Sequence, residues 1–416
     1  MSNQYRLAAL GAVAVCAALT FAGGASAYTM KTLYTFCSQH ACADGIQPNA
    51  LTMDPAGNLY GSTYDGGDRR KGVIFELIPN ADKSAWTYEV LYRFCAGCIG
   101  RPEGKLVLDT AGNLYGVTHR GGHTQGAVVE LSPSAGRSSW TLTELHSFIF
   151  CRKDWCANGY YSQLNALAYA GSETDALYDG VSPLYGTSAL GGGNRSGFVF
   201  QLTPQDGGFR YRNVYDFCTA PHDPICDGGG ITYAPAYVDP HGNLFLTTNA
   251  YSVYGGGGIV ELTPPRSHGK FTATKLYDFC SPFRCPFGNF ATAAMIPDAQ
   301  GNLYGTTQLG GSTGEGVVFK LAPDGQSSQY TVLYNFCPTG TCDDGRVPSS
   351  GPLTMDSAGH LFGTTQWGGI YHNDPITSGG GTVFELNGTH QTLYNFCAAT
   401  DCSDGQEPTG GLMMDA

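Results

Sequence analysis

At 416 residues, with 59 glycines, 12% aromatics and only 13% charged residues, the chain is too apolar for a disordered segment and suits many short strands joined by tight turns. Its net charge of −12 comes without any basic stripe, which excludes nucleic acid as an expected partner because nothing is arranged to meet phosphates. Length alone would allow two or three average domains, but a repeat overrides that, since stacked units share one continuous core.

Residues 1–27 read as an export signal. Arg6 gives a short basic start, 7–21 form an apolar run, and Ala25-Ser26-Ala27 has the form of an A-x-A cleavage site. The run is short for a membrane span and no second one follows. The mature chain, 28–416, is therefore expected as a single domain outside the cytoplasm: secreted, periplasmic or at the cell surface. Cys16 falls within the leader, and Val15 before it fits poorly with a lipoprotein signal.

The other 14 cysteines form seven close pairs: Cys37/Cys42, Cys95/Cys98, Cys151/Cys156, Cys218/Cys226, Cys280/Cys285, Cys337/Cys342 and Cys397/Cys402. Each pair follows an aromatic strand ending in Phe-Cys, and the first cysteines stand 56–67 residues apart. In an oxidising compartment the simplest reading is one local disulfide per repeat. Closing so short a loop contributes about 2 kcal/mol in the chain-entropy model; it pins a loop without holding the fold together.

Between the cysteines a phrase recurs: GNLYGST at 57–63, GNLYGVT at 112–118 and GNLYGTT at 301–307, with looser copies at 182–188, 242–248 and 359–365. Turns of the Asp-x-x-Gly kind at 54–57, 109–112, 239–242 and 298–301 supply the positive φ of a tight hairpin. In 350–396 four strands are expected: an inner one at 353–356, a second at 360–365, a third at 382–386 after a Gly-rich loop, and an outer one at 391–396. The third strand alternates at period two, as in Val317-Val318-Phe319-Lys320-Leu321. Four antiparallel strands repeated radially describe an all-β fold, a β-propeller; a β-solenoid ranks second because its rungs are far shorter. Complete units run 50–94, 105–148, 164–217, 233–279, 292–336 and 352–396. An outer-type strand at 31–36 and an inner-type strand at 411–415 are left over, so the expectation is six complete blades plus a partial seventh shared between the chain ends, from either a truncated sequence or an imperfectly closed ring. The third unit carries an insertion at 171–181, and the fourth replaces the glycine of the phrase with Leu246.

The repeated GNLYGTT, VFEL and LYNFC segments (as at 301–307, 383–386 and 333–337) resemble the GloVer tandem-repeat family of exported bacterial proteins over essentially all of 31–416. That resemblance implies export, a propeller-like repeat and variable surface anchoring, with no established activity and no catalytic residues to carry over. No C-terminal anchor segment is read here.

Strand alternation places chemistry. If the inner strand runs down, the cysteine loops and the Gly-rich loops share one face, and residues entering the inner strands surround the mouth of an axial channel. These are Asn49, Arg101, Glu103, Tyr161, Gln163, Tyr233, Asn289, Arg346, Ser349 and Thr409. One step outward, closing the second strands, stand Tyr64, His119, Asn249, Gln308 and Gln366. Trp155 in a cysteine loop and Trp367 in a Gly-rich loop could stack on a sugar ring, or simply pack. Any ligand is expected on this face; solvated loop polarity is the plain alternative.

Other candidates are weaker. Cys95-Ala96-Gly97-Cys98 has redox spacing but occupies the disulfide slot of its repeat, and the remaining pairs lie blades apart, too far to share zinc. His119 and His123 fall in a Gly-rich loop. The Asp-Gly sequences starting at Asp44, Asp344 and Asp404 offer oxygens of the kind calcium takes, though turn formation explains them as well. Glu76, Glu130, Glu261 and Glu385 recur on third strands, too far from the axis to converge, and are expected solvent-facing or paired. No phosphate loop, G-x-S-x-G or H-E-x-x-H occurs. No cofactor is expected, calcium being the only candidate. The leading expectation is a non-enzymatic exported propeller binding a glycan, peptide or surface partner. The alternative is a propeller lyase or hydrolase acting on a polysaccharide or lactone, for which Glu103 with His119 is the best acid/base pair and a metal at the mouth is expected. A structural spacer is the third.

Overall fold

Every letter of the repeated phrase has a task in the folded chain. Asp54 Oδ1 accepts the N–H groups of Ala56 and Asn58, both at 2.9 Å, while Oδ2 accepts Asn58 Nδ2 at 2.9 Å and the Tyr60 hydroxyl at 3.1 Å. Asp109 and Asp298 repeat all four bonds, to Tyr115 and Tyr304 at their ends. Gly57 closes the turn at φ 86°, a conformation that excludes most side chains. The second glycine serves packing instead. A Cβ on Gly61, Gly186, Gly305 or Gly363 would stand 2.2–2.6 Å from the ring tip of Phe75, Phe200, Phe319 or Phe384 on the third strand. The last threonine, fully buried, accepts the N–H that opens the third strand: Val73 to Thr63, Ala127 to Thr118 and Gly258 to Thr248, each at 3.1 Å. Buried bonds of this kind contribute about 1 kcal/mol each and would cost more if left open.

The structure, a computed structural model, describes residues 13–15, 30–95, 99–121, 124–149, 164–174, 176–192, 196–218, 232–249, 256–267, 269–281, 284–323, 328–370 and 379–414. It is a six-bladed β-propeller, and its described residues contain three short 3-10 turns and no other helix. The first blade pairs Leu59–Asp65, Val73–Pro79 and Trp86–Arg93 behind a broken inner strand, Ile46–Pro48 and Thr52–Met53. Ile99–Leu108 through Trp140–Ile149 make the second. In the third, the isolated bridges of Leu164 to Ser188 and Ala168 to Tyr185 stand in for an inner strand. The fourth, fifth and sixth begin at Tyr237–Val238, Ile296–Pro297 and Arg346–Pro348 and end at Thr272–Asp278, Ser328–Asn335 and His390–Asn395. These match the expected units.

Two devices join consecutive blades. A hydroxyl on the inner or second strand donates to a carbonyl of the next inner strand: Thr187 to Ala234 at 2.9 Å, Thr247 to Ala291 at 3.3 Å, and Thr52 to Leu106. Farther out, rings on neighbouring outer strands stack face to face: His146 on Tyr211 at 3.7 Å, Tyr277 on Tyr330 at 4.0 Å and Tyr334 on His390 at 4.4 Å. The third-strand glutamates are paired where they are buried. Glu76 accepts the Tyr60 hydroxyl at 2.7 Å and lies 3.3 Å from Arg137, which reaches over from the following blade.

The expected common face is present: the carbonyls of Cys42, Cys285 and Cys342 accept N–H bonds at 2.9 Å from Gly67, Gly311 and Gly369 of the Gly-rich loops. Disulfides join Cys37–Cys42, Cys280–Cys285, Cys337–Cys342 and Cys397–Cys402, as local links of the kind kept in oxidising compartments. Cys95 and Cys218 are also disulfide-bonded, while Cys98, Cys151, Cys156 and Cys226 lie outside the described residues. No seventh four-stranded blade forms among the described residues: 410–414 are not a strand, and Thr32–Thr35 pairs with Val13–Val15 in a two-stranded sheet. No helix of the described residues is long and apolar enough to cross a membrane.

Candidate functional site

The inner strands surround a cavity of about 1220 Å³ along the propeller axis, with an apolar middle (Leu51, Leu167, Ala294) and polar ends. Of the residues expected at its mouth, Asn49, Glu103, Tyr233 and Thr409 line it, joined by Gln308, which was expected one step outward. Asn49 is committed to structure, its amide donating at 2.9 Å both to Ser62 and to the Pro102 carbonyl of the next blade. Ser349 is buried against Thr364 at 2.6 Å, also within the framework. Tyr161, Gln163, Trp155 and His123 lie outside the described residues.

Glu103 and His119 meet. Glu103 Oε2 lies 3.3 Å from His119 Nδ1, and both atoms are buried without another hydrogen-bond partner among the described residues. Glu103 sits on the inner strand and His119 on the second strand of the same blade, one residue past the buried Thr118. The Tyr64 ring is 6.0 Å from the imidazole, and the Arg101 guanidinium lies 5.3 Å over that tyrosine. The four groups make one polar patch where blades one and two join.

Arg346 is placed differently from Arg101. It stacks over Trp367 at 5.3 Å and lies 3.8 Å from Glu315, at the junction of blades five and six; neither arginine lines the axial cavity. The two arginines are also one register apart. Arg101 has φ 58°, the left-handed place held by Val347 and Glu407 in other units. Its N–H bonds the Lys71 carbonyl as theirs bond Glu315 and Gly380, so a clasp between blades explains its backbone. Asn289 pairs its backbone with Leu309 and, among the described residues, keeps a buried Oδ1 without a partner, and Asn249 has its whole amide so. Gln366 and Trp367 do not line the cavity.

One group the sequence reasoning missed is Phe290. It occupies the left-handed place at φ 62°, is 38% exposed, and stacks on Tyr233 with ring centres 6.0 Å apart and planes 26° from parallel. Both rings line the mouth, and Gln308, also lining it, donates to Ser350 at 3.3 Å. The signal was its position directly after Asn289, where other units put polar, charged or aliphatic residues.

At the opposite end the insertion at 171–181 enters the cavity wall with Ser172, Glu173, Ala176 and Leu177. It is anchored to blade two by Tyr178, whose N–H bonds the Leu108 carbonyl at 2.9 Å. Burial raises the Glu173 carboxyl above its ordinary range, and burial with the nearby carboxylates of Glu173 and Asp239 pushes Tyr237 up to about 12.

The Asp-Gly aspartates are already occupied. Asp44 accepts the Tyr34 hydroxyl at 2.8 Å and the Ser38 N–H at 2.9 Å; Asp344 and Asp404 accept Tyr334 and Tyr394 at 2.7 and 2.6 Å. They tie each cysteine loop to its outer strand. No cluster of three or more metal-ligating groups occurs among the described residues.

The model of the Gloeobacter/Verrucomicrobia repeat family matches residues 19–171 and 179–416. No curated protein matches. Similar solved structures include the PQQ-bound aldose sugar dehydrogenase of Streptomyces coelicolor (14% identity, covering 82% of this chain and 93% of that one, TM-score 0.41). The calcium-binding protein regucalcin of Agrobacterium tumefaciens is similar at 13% identity over 82% and 90%, TM-score 0.41. An α-L-arabinanase of Penicillium chrysogenum complexed with arabinobiose is similar at 11% over 84% and 95%, TM-score 0.46. Identities and scores this low carry no functional reading.

Proposed function

This chain belongs to the Gloeobacter/Verrucomicrobia repeat family, and from the mouth of its channel we propose that it is an exported binding propeller for a glycan. The observation that carries this reading is the Tyr233–Phe290 platform, with Phe290 38% exposed at the lip of a 1220 Å³ cavity. The exposed Phe290 ring, backed by Tyr233, gives a sugar's apolar face a surface to stack on, while the Gln308 amide next to it offers a donor and the Glu103 carboxylate, on blade two of the same cavity wall, offers acceptors for hydroxyls. Neither the basic density that a nucleic acid needs nor a phosphate cradle accompanies them. The export signal read at 1–27 and the local disulfides support a place outside the cytoplasm.

The test is a glycan array followed by calorimetry on any glycan retained. Phe290→Ala and Tyr233→Ala are expected to weaken binding about two- to tenfold each, since one stacked aromatic contributes about 0.5–1.5 kcal/mol beyond its area. Retention of no glycan, or unchanged affinity in both variants, would reject the reading.

The Glu103–His119 contact favours one second reading. A carboxylate 3.3 Å from an imidazole at a channel mouth is an acid/base arrangement, suited to hydrolysis or elimination on a bound polysaccharide or lactone. In that case Glu103→Gln abolishes turnover while binding at the Tyr233–Phe290 platform persists.

A further inference from the structure

We propose that the junction of blades five and six holds a second saccharide site, a pocket in which Arg346 and Glu315 take two neighbouring hydroxyls of one sugar ring. The pocket shares no lining residue with the axial cavity, and the site does not rest on the Tyr233–Phe290 platform.

It encloses about 620 Å³ on the cysteine-loop face, a size at which small-molecule sites occur. Arg346 and Glu315 wall it together with the loop closed by the Cys337–Cys342 disulfide. The rest of the wall offers the hydroxyls of Thr313, Thr339 and Thr341 rather than an apolar hollow for a peptide side chain.

Three departures from the repeat meet here. Arg346 pairs across strands with Trp367, where other units pair Ile46 with Asp65, Gly100 with Arg120 and Asn289 with Leu309. Glu315 stands before the glycine that opens the third strand, a place held elsewhere by Lys71, Gln125, Ser196, Gly256 and Gly380. The fold does not need these side chains. The clasp at this junction is a backbone bond, from the Val347 N–H to the Glu315 carbonyl at 3.0 Å. Arg101 and Glu407 make the same bond to Lys71 and Gly380 with quite different side chains around it.

The chemistry of the pair points to a diol. The guanidinium carbon of Arg346 lies 5.3 Å over the Trp367 ring, which steadies the direction of its fork. Its Nη1 stands 3.8 Å from Glu315 Oε2, an ion pair too long to be a hydrogen bond. Among the described residues neither charged group has another polar partner, and the two side chains are 22% and 28% exposed. Donors with unused capacity therefore stand beside acceptors with unused capacity. Adjacent sugar hydroxyls match that order, one accepting from Arg346 while its neighbour donates to Glu315. A lone anion would be repelled by Glu315 and by the net charge of −12, and an ammonium by Arg346.

The probes are the methyl α-glycosides of mannose, galactose and glucose, each set against its fully O-methylated derivative, titrated into the full chain and followed by ligand-observed NMR. Expected are saturable binding of at least one glycoside, loss of that binding on O-methylation, and new hydrogen-exchange protection at 339–342. Glu315→Gln and Arg346→Lys should each weaken binding at least about tenfold, the scale of one charge-assisted hydrogen bond. Trp367→Phe should keep more of the affinity than Trp367→Ala. Glu315→Gln leaves the backbone clasp in place, so an unchanged Tm separates lost binding from lost folding, and this variant decides if Arg346→Lys does not fold. Binding of none of the glycosides, equal binding of the O-methylated derivatives, or unchanged affinity in Glu315→Gln would overturn the proposal. So would glycoside binding that only Phe290→Ala removes, since that binding belongs to the axial mouth. Loss in Glu315→Gln with full binding in Phe290→Ala supports the junction site and tells against the axial platform instead.

Discussion

Buried rings between blades give the fold a pH dependence. His146 lies flat on Tyr211, and burial lowers its pKa from 6.5 to about 4; burial also lowers that of His390 in its stack with Tyr334. The unfolded chain therefore takes up these protons at a higher pH than the folded one. Their contribution is fully present above the ordinary histidine pKa near 6.5 and is lost as pH falls from there toward 4. At the position of His146 other units carry Tyr92, Tyr215, Tyr277, Tyr334 and Tyr394. His146→Tyr is expected to keep the stack and shrink the fall in Tm between pH 7 and 5, measured by thermal melts; an unchanged pH slope would contradict the cause given. At this scale the sequence was partly legible. Glu103 and His119 could be paired from strand alternation alone, because their places on adjacent strands follow from the repeat. Phe290 could not, since its exposure depends on a left-handed backbone that nothing in its identity announces.

The element that organises the chain is the turn and strand of the repeated phrase, and its two glycines do different work. Gly305 faces the Phe319 ring with no room for a Cβ, whereas Gly301 has nothing within 4 Å and is constrained only by its φ of 82°. Gly305→Val is expected to cost about 1–3 kcal/mol by overpacking, and Gly301→Ala about 1 kcal/mol by backbone strain. Urea unfolding of both variants checks the order. The positive φ of the first glycine followed from turn chemistry. The second glycine and the threonines were visible as a pattern without a reason, because their partners lie on the third strand and on the next blade.

For the whole molecule, the axial cavity has two unlike ends. The mouth on the cysteine-loop face carries Tyr233, Phe290 and Ser350, and the far end is walled by the insertion at 171–181. Ligand is therefore expected to enter past Ser350: Ser350→Trp should abolish glycan binding and Ser172→Trp should leave it within about twofold, both read by calorimetry. The reverse result would place the entrance at the far end. By itself the sequence determined the blade, the count of complete blades and the face shared by cysteine and Gly-rich loops, because these follow from period-two alternation and a recurring turn, which are local. Only the tertiary structure decided which polar residues line the mouth, and that Asn49 and Ser349 are spent on the framework while neither Arg101 nor Arg346 lines the cavity. Those outcomes rest on contacts between residues far apart in the chain, whose side-chain directions no single repeat specifies.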